Sequence, residues 1–150
     1  MAHAALVRGT RGYLAARWFG APVLLLETIG RRSGRPYAAP LVYLADGDDL
    51  VVVPANAGAD QTPAWWLNLR AAGEGVAIVE GLRRPVTPTV IEGSRRDRLW
   101  RRFGAVSPVE HYQRQTTRRL PVVALTPQPA RAFRCTSSTH YVMAHEKASA

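Results

Sequence analysis

A chain of 150 residues makes one ordinary domain, long enough for a single sizeable core and too short for two. Its hydrophobic fraction of 47% excludes extensive disorder. With 20 Lys+Arg against 11 Asp+Glu the formal net charge is +9, and every basic residue except Lys147 is an arginine. Arginine presents a planar fork that pairs two-pronged with phosphate or carboxylate, so the balance favours an acidic partner: nucleic acid, an anionic membrane or an acidic small molecule. Charge alone does not choose among these.

Cys135 is the only cysteine, which rules out an intrachain disulfide and points to a reducing cytoplasm. The apolar run Val23–Leu26 falls far short of the roughly 20 residues that span a bilayer. Residues 1–20 scatter arginines through their apolar positions and hold no uninterrupted signal-peptide core.

In chain order, residues 3–19 are expected as an N-terminal helix weakened by Gly9 and Gly12. Val23–Thr28 reads as a buried strand, followed by the turn Gly30-Arg31-Arg32-Ser33-Gly34-Arg35-Pro36. Tyr37–Ala45 is a second strand, Asp46-Gly47-Asp48-Asp49 a hairpin turn, and Leu50–Val53 a third strand. Pro54–Gln61 is a small-residue loop, and Thr62-Pro63 opens a helix running to about Ala72 as N-cap and first-turn proline. Val76–Val79 and Pro85–Ile91 are strands joined through Glu80–Arg84. Ser94 is expected to cap a basic helix with Leu99, Trp100 and Phe103 on its apolar side. Ser107-Pro108-Val109-Glu110 resembles a capping box, and Leu120–Leu125 is the last strand. The organisation is thus a helix over 1–20, a domain over 21–127 and a tail over 128–150. Mostly consecutive strands with few helices argue for the α+β class, a small antiparallel barrel with helices outside.

Several chemistries are excluded. The histidines at 3, 111, 140 and 145 lack zinc-ligand spacing, and there is no phosphate-loop motif or nucleophile-elbow serine. Asp48-Asp49 sits in a hairpin and is expected to be solvated. No metal site is expected, and an enzyme of this composition would leave the chemistry to a cofactor.

Two segments carry the functional case. Gly30–Pro36 places three guanidinium groups and a hydroxyl on one tight connection, which suits an anion site or, equally, a hairpin tip that keeps a sheet edge soluble. Pro54–Leu69 runs a small-residue loop into a helix N-terminus, where backbone and dipole favour a negative group. Trp65 and Asn68 share a helix face, while Trp66 and Leu67 read better as core.

Together the pattern T-x-G-R-x-S-G-x-P-x-x-x-P-L at Thr28–Leu41, the loop around Ala55-Asn56-Ala57-Gly58 and P-A-W-W-x-N-L at Pro63–Leu69 resemble the deazaflavin-dependent nitroreductase family, whose coenzyme is F420. The resemblance spans roughly Val23–Pro127. It implies a split β-barrel, FMN-binding-like, of about six mostly antiparallel strands with peripheral helices. It implies that Arg31, Arg32 and Ser33 contact the coenzyme's phosphate and acidic tail. Arg35 stands where it could replace the basic residue many members carry at the position of Tyr37. Val53, Pro54, Ala55, Asn56 and Ala57, with Trp65 and Asn68, would lie against the ring and its linker, although some members carry lysine at the position of Asn56.

The resemblance also implies hydride transfer from reduced F420 to an apolar, electron-poor acceptor: a nitroaromatic, quinone or enone. Tyr112 aligns with a substrate-side tyrosine whose hydroxyl would donate to the acceptor oxygen; an amphipathic tyrosine packed at a helix surface fits equally. The N-terminal helix, with Trp18 and Phe19, offers a cover for the cleft or a peripheral contact with the inner face of the membrane. A monomer or weak homodimer in the cytoplasm is expected. Two alternatives stand beside this reading. One is an FMN-binding split-barrel oxidoreductase. The other is a basic nucleic-acid-binding module built on Arg95, Arg96, Arg98, Arg101 and Arg102, against which the aromatics do not interleave with the basic run, so no nucleic-acid partner is expected.

Overall fold

The computed structural model describes residues 17, 18 and 20–129. The strands are β1 (Arg17–Trp18), β2 (Ala21–Ile29), β3 (Pro36–Val42), β4 (Leu44–Asp46), β5 (Asp49–Val52), β6 (Gly75–Val79), β7 (Leu82–Ile91) and β8 (Val122–Pro127). The helices are α1 (Ala64–Ala72), α2 (Gly93–Phe103) and α3 (Val109–Arg114). Every strand pairing is antiparallel.

The sheet runs β1-β2-β6-β7-β8-β5-β4, with β3 on the other side of β2. β3 pairs along β2 from Val23↔Val42 to Ile29↔Pro36, whereas β4 pairs with β5. Only Tyr43 separates β3 from β4, so one bent strand belongs to both ends of the sheet and curls it into a split barrel. The expectation of six strands is therefore corrected to seven besides the two-residue β1. The strand expected over Tyr37–Ala45 changes partner at Tyr43, and nothing in its composition marks the corner.

Two apolar cores flank the barrel wall. Leu24, Leu26, Val52, Trp66, Leu69, Ala77, Val86, Val123 and Leu125 form one; Val51, Ile91, Leu99, Phe103, Val109, Val122 and Ala124 form the other. β5 and β8 feed alternate residues into both, which explains why their sequences are continuously apolar. Trp66 joins the first core as expected, and Leu67 is half-buried.

Local expectations fail in instructive places. The expected N-terminal helix does not include Arg17 and Trp18: they pair with Pro22 and Ala21 as a strand, because Gly20 at φ +83° reverses the chain. The rest of that helix and the tail from residue 130 lie outside the described residues. β7 begins at Leu82 because Glu80 and Gly81, at φ +50° and +83°, make a two-residue hairpin. None of the expected caps bonds through its side chain: the cap positions are Pro63, Glu92 and Pro108. Glu110 accepts instead from the Trp100 indole N–H, tying α3 to α2. No helix among the described residues is long and apolar enough to cross a membrane.

α2 is anchored by charge. Arg95 donates to Asp46 at 3.0 and 3.2 Å and to Asp49 at 2.9 Å, while Arg102 reaches Asp46 at 3.3 Å. Asp49 also accepts from Thr126, so it is not the solvated turn residue expected. The Arg95 hydrogen bond, opposed by burial and aided by the charges of Arg95, Arg98 and Arg102, holds the Asp46 carboxyl below its ordinary 3.8. A carboxyl with a lowered native pKa binds its proton less readily folded than unfolded. Its stabilisation is thus complete above 3.8 and fades as pH falls through the native value. Asp46→Asn should cost about 1 kcal/mol at pH 7, as expected for a networked surface pair. Urea unfolding should show that gap narrowing as the pH is lowered below 3.8; a gap that stays constant down to full protonation would contradict the network's role.

Candidate functional site

The Arg-rich turn links β2 to β3. The Gly30 N–H donates to the Arg35 carbonyl at 2.8 Å, and the Gly34 N–H to the Gly30 carbonyl at 2.9 Å. A Cβ on Gly30 would stand 2.5 Å from Ser33 Oγ and 2.8 Å from the Tyr37 ring, so any larger residue would push these two side chains aside. Ser33 Oγ accepts from the Arg35 N–H at 3.2 Å, locking the turn's shape. Arg31, Arg32 and Arg35 are exposed, and none pairs with a carboxylate among the described residues. Elsewhere arginines are committed: Arg83 binds Glu27 through two bonds of 3.2 and 2.7 Å, and Arg119 pairs with Glu92 at 3.4 Å.

Asn68 docks this turn onto α1. Its Oδ1 accepts from the Arg31 backbone N–H at 3.1 Å and from Arg31 Nη1 at 3.2 Å. Asn68 is 3% exposed, and Trp66 and Leu69 beside it are buried in the core, so the direction of its side chain is fixed by packing. Its Nδ2 has no hydrogen-bond partner among the described residues and remains a donor for a ligand. Four residues before it, about 6 Å along the axis, α1 begins at Ala64 with no acidic residue in its first turn. Trp65, half-buried, packs against the first core and meets Trp66 edge-on at 6.2 Å.

The loop before α1 has an unusual backbone. Val53 is half-buried, and Pro54 and Ala55 are buried. Ala55 is right-handed, then Asn56, Ala57 and Gly58 follow at φ +49°, +53° and +84°. A right-handed residue followed by a left-handed one turns successive N–H groups toward one concavity, an arrangement that binds anions. Left-handed geometry at Ala57 costs on the order of 1 kcal/mol, so the surroundings must impose it. They do so from α3 and the segment after it. A Cβ on Gly58 would lie 2.3 Å from Gln115 Oε1 and 3.1 Å from the Tyr112 carbonyl. Asn56 Nδ2 donates to the Gln61 carbonyl at 2.9 Å, so this side chain is spent on the loop itself.

Arg118 completes the frame. Its guanidinium donates to the carbonyls of Pro54 at 3.1 Å, Ala55 at 3.1 Å and Ala59 at 3.0 Å. Thr116 donates to Asp60 at 2.8 Å, and Gln113 bridges the Arg118 carbonyl at 2.7 Å and the Leu120 N–H at 2.9 Å. Sequence reasoning missed Arg118 and Thr116, because an arginine among Thr116-Thr117-Arg118-Arg119 reads as solvated until the chain is folded. Tyr112 sits half-buried on α3 beside this loop, and its hydroxyl makes no hydrogen bond among the described residues. His111 is exposed and meets the Gln115 amide at 3.1 Å.

The expected residues thus fall into two joined groups: Arg31, Arg32, Ser33 and Arg35 docked on Asn68, and Val53–Ala57 with Tyr112 alongside, joined through Trp65 and α1. A cavity of about 300 Å³ lined by Glu27, Thr28, Ile29, Glu74, Arg83 and Pro85 involves none of them. No group of three or more acidic, His or Cys side chains suited to a metal occurs among the described residues.

A profile of the F420H2-dependent quinone reductases matches residues 1–127. An F420H2-dependent quinone reductase of Mycobacterium tuberculosis is 35% identical over 129 residues, which cover 83% of this chain and 87% of the relative. Among solved structures, an F420-H2 dependent reductase aligns with a TM-score of 0.62 at 25% identity, over 69% of this chain and 93% of its own. A domain-swapped dimer aligns with a TM-score of 0.63 at 23% identity, over 81% and 97%, and shares the fold. The family inferred from the Arg-rich turn and the P-A-W-W-x-N-L segment therefore holds, with quinone reductases as its matching branch: this chain belongs to the F420H2-dependent quinone reductase family, oxidoreductases that work with the deazaflavin coenzyme F420.

Proposed function

We propose that this chain reduces a quinone-like, apolar acceptor with F420H2, and that its coenzyme lies between the Arg31–Arg35 turn, the loop 53–57 and the first turns of α1. The observation that carries the reading is the Asn68–Arg31 bond, which docks a turn of arginines, unpaired with any carboxylate among the described residues, beside a helix N-terminus and a left-handed, small-residue loop. That donor set suits a ligand with a phosphate and several carboxylates.

In this reading Arg31 and Arg32 pair with phosphate and tail carboxylates, and Arg35 and Ser33 support the same anion. Asn68 Nδ2 and the N–H groups opened by the loop donate to polar edges of the coenzyme. Ala55, Ala57 and Trp65 supply the close, apolar approach that a flat ring needs, with Val53 and Pro54 setting the loop's entry. When bound, the reduced deazaflavin supplies a hydride equivalent to the acceptor. The protein's share of the rate is juxtaposition and exclusion of water. Tyr112, on the helix behind the loop, is the donor for the acceptor oxygen as charge builds there. Nitroaromatics and enones share the electron-poor, apolar character of quinones and are proposed as further acceptors. FMN carries a phosphate but no acidic tail, so an arginine-rich turn discriminates in favour of F420.

The decisive measurement is optical titration with F420, with FMN as competitor. Tight FMN binding without a response to F420 would overturn the assignment. Arg31→Ala with Arg32→Ala should weaken F420 binding about a hundredfold, two charge-assisted contacts of roughly 1.5 kcal/mol each, and should flatten its salt dependence. Unchanged affinity would remove the anion site. Tyr112→Phe should lower turnover of a soluble quinone by about a hundredfold while leaving F420 affinity unchanged; equal turnover would make Tyr112 a packing residue.

A further inference from the structure

The chain spends one arginine in a way that neither charge pairing nor solubility explains. Arg118 forms no ion pair among the described residues, yet three of its hydrogen bonds end on backbone carbonyls of a single loop, those of Pro54, Ala55 and Ala59. The residue is half-buried and its Nε is buried without a partner, a desolvation cost that its contacts with the loop offset. Those carbonyls bracket the left-handed residues Asn56, Ala57 and Gly58. Their side chains impose no such geometry, and Ala57 opposes it. The segment carrying Arg118 is held in turn: Gln113 clasps the Arg118 carbonyl and the Leu120 N–H, the Arg118 N–H donates to Thr116 Oγ1 at 3.2 Å, and Thr116 donates to Asp60 at the loop's far end.

We infer that Arg118 is a positioning residue that braces the loop 54–59 in the left-handed shape that receives the coenzyme. The inference rests on the proposed coenzyme site. Arg118 need not touch the ligand. It selects one loop conformer in advance, and its charge, balanced by no carboxylate among the described residues, adds positive potential behind a loop that faces an anion. Lysine does not substitute, because a single ammonium on a flexible stem does not span three carbonyls as a planar fork does.

The test compares Arg118→Gln and Arg118→Lys with the wild-type chain by thermal melting without ligand, F420 titration, KM values for F420 and for a soluble quinone, and amide exchange at Gly58 and Ala59. Those amides donate to Ala55 and Asn56, each at 3.0 Å, and report the loop directly. Both variants should melt near the wild type, exchange these amides faster and bind F420 about tenfold more weakly, as when the competent conformer falls to a tenth. The KM for F420 should rise while that for the quinone holds. Should Arg118→Gln fail to fold, Arg118→Lys, which keeps the stem packing and the charge, carries the test. Full affinity in Arg118→Lys would reduce the role to charge and overturn the brace. Wild-type exchange and affinity in both variants would overturn it too, as would a quinone KM that rises in step with the F420 KM. A wild-type chain that ignores F420 would sink the coenzyme reading instead, and exchange at Gly58 and Ala59 would then still decide whether Arg118 holds the loop.

Discussion

The Asn68 carboxamide under the Arg31 turn is the constraint on which the site depends. A buried carbonyl oxygen has lost its water and must find donors, and here both come from one residue of the turn, its backbone N–H and its guanidinium. The position of Asn68 is not adjustable, because Trp66 and Leu69 anchor α1 in the core shared with β2, β5, β6, β7 and β8. The barrel therefore fixes the helix, the helix fixes the carboxamide, and the carboxamide fixes the first arginine of a turn 37 residues away in sequence. A turn held this way is preorganised by the core.

The same logic sorts the arginines, whose number alone says little. Arg95, Arg98 and Arg102 share Asp46, Arg83 holds Glu27, Arg119 meets Glu92, and Arg70 and Arg96 lie over the rings of Trp66 and Trp100 at 5.3 and 5.1 Å. The basic face of α2, which in the sequence resembled a nucleic-acid contact surface, is thus largely committed to fastening α2 to the β4–β5 hairpin. The β2–β3 turn keeps three guanidinium groups that have no acidic partner among the described residues. Positive charge becomes recognition only where internal pairing has not already used it.

Strain is the second resource. The loop before α1 holds an alanine in left-handed geometry, which no local preference supports, and the segment following α3 imposes it through Arg118, Thr116 and Gln115. Elements from opposite ends of the domain meet at this loop: its sequence neighbours form α1, while its clamp immediately precedes β8. The clamp is itself anchored, since Leu120 and Val122, just beyond it, are fully buried.

The sequence by itself determined the class and most of the elements. Runs such as Val23–Thr28 and Val76–Val79 are short, largely apolar and preceded by Pro22 and Gly75, which favours strands over helices, and the spaced glycines of Gly30–Gly34 favour a tight turn. It also determined the family, because the T-x-G-R-x-S-G and P-A-W-W-x-N-L segments are ordered sets of residue types that composition alone does not produce. Tertiary structure decided the rest. The bend at Tyr43 that closes the barrel exists only because the two halves of one strand find different partners. The expected helix caps gave way to cap positions one residue or more away, at Pro63, Glu92 and Pro108, and the Glu110 of the expected capping box bonds Trp100 instead. That Asn68 serves Arg31, and Arg118 serves the loop 54–59, could not be read from spacing, since hydrogen bonds across 37 and about 60 residues leave no periodic trace in a sequence. Local patterns encode what a segment becomes; which buried polar atom satisfies which is settled only when the core brings them within 3 Å.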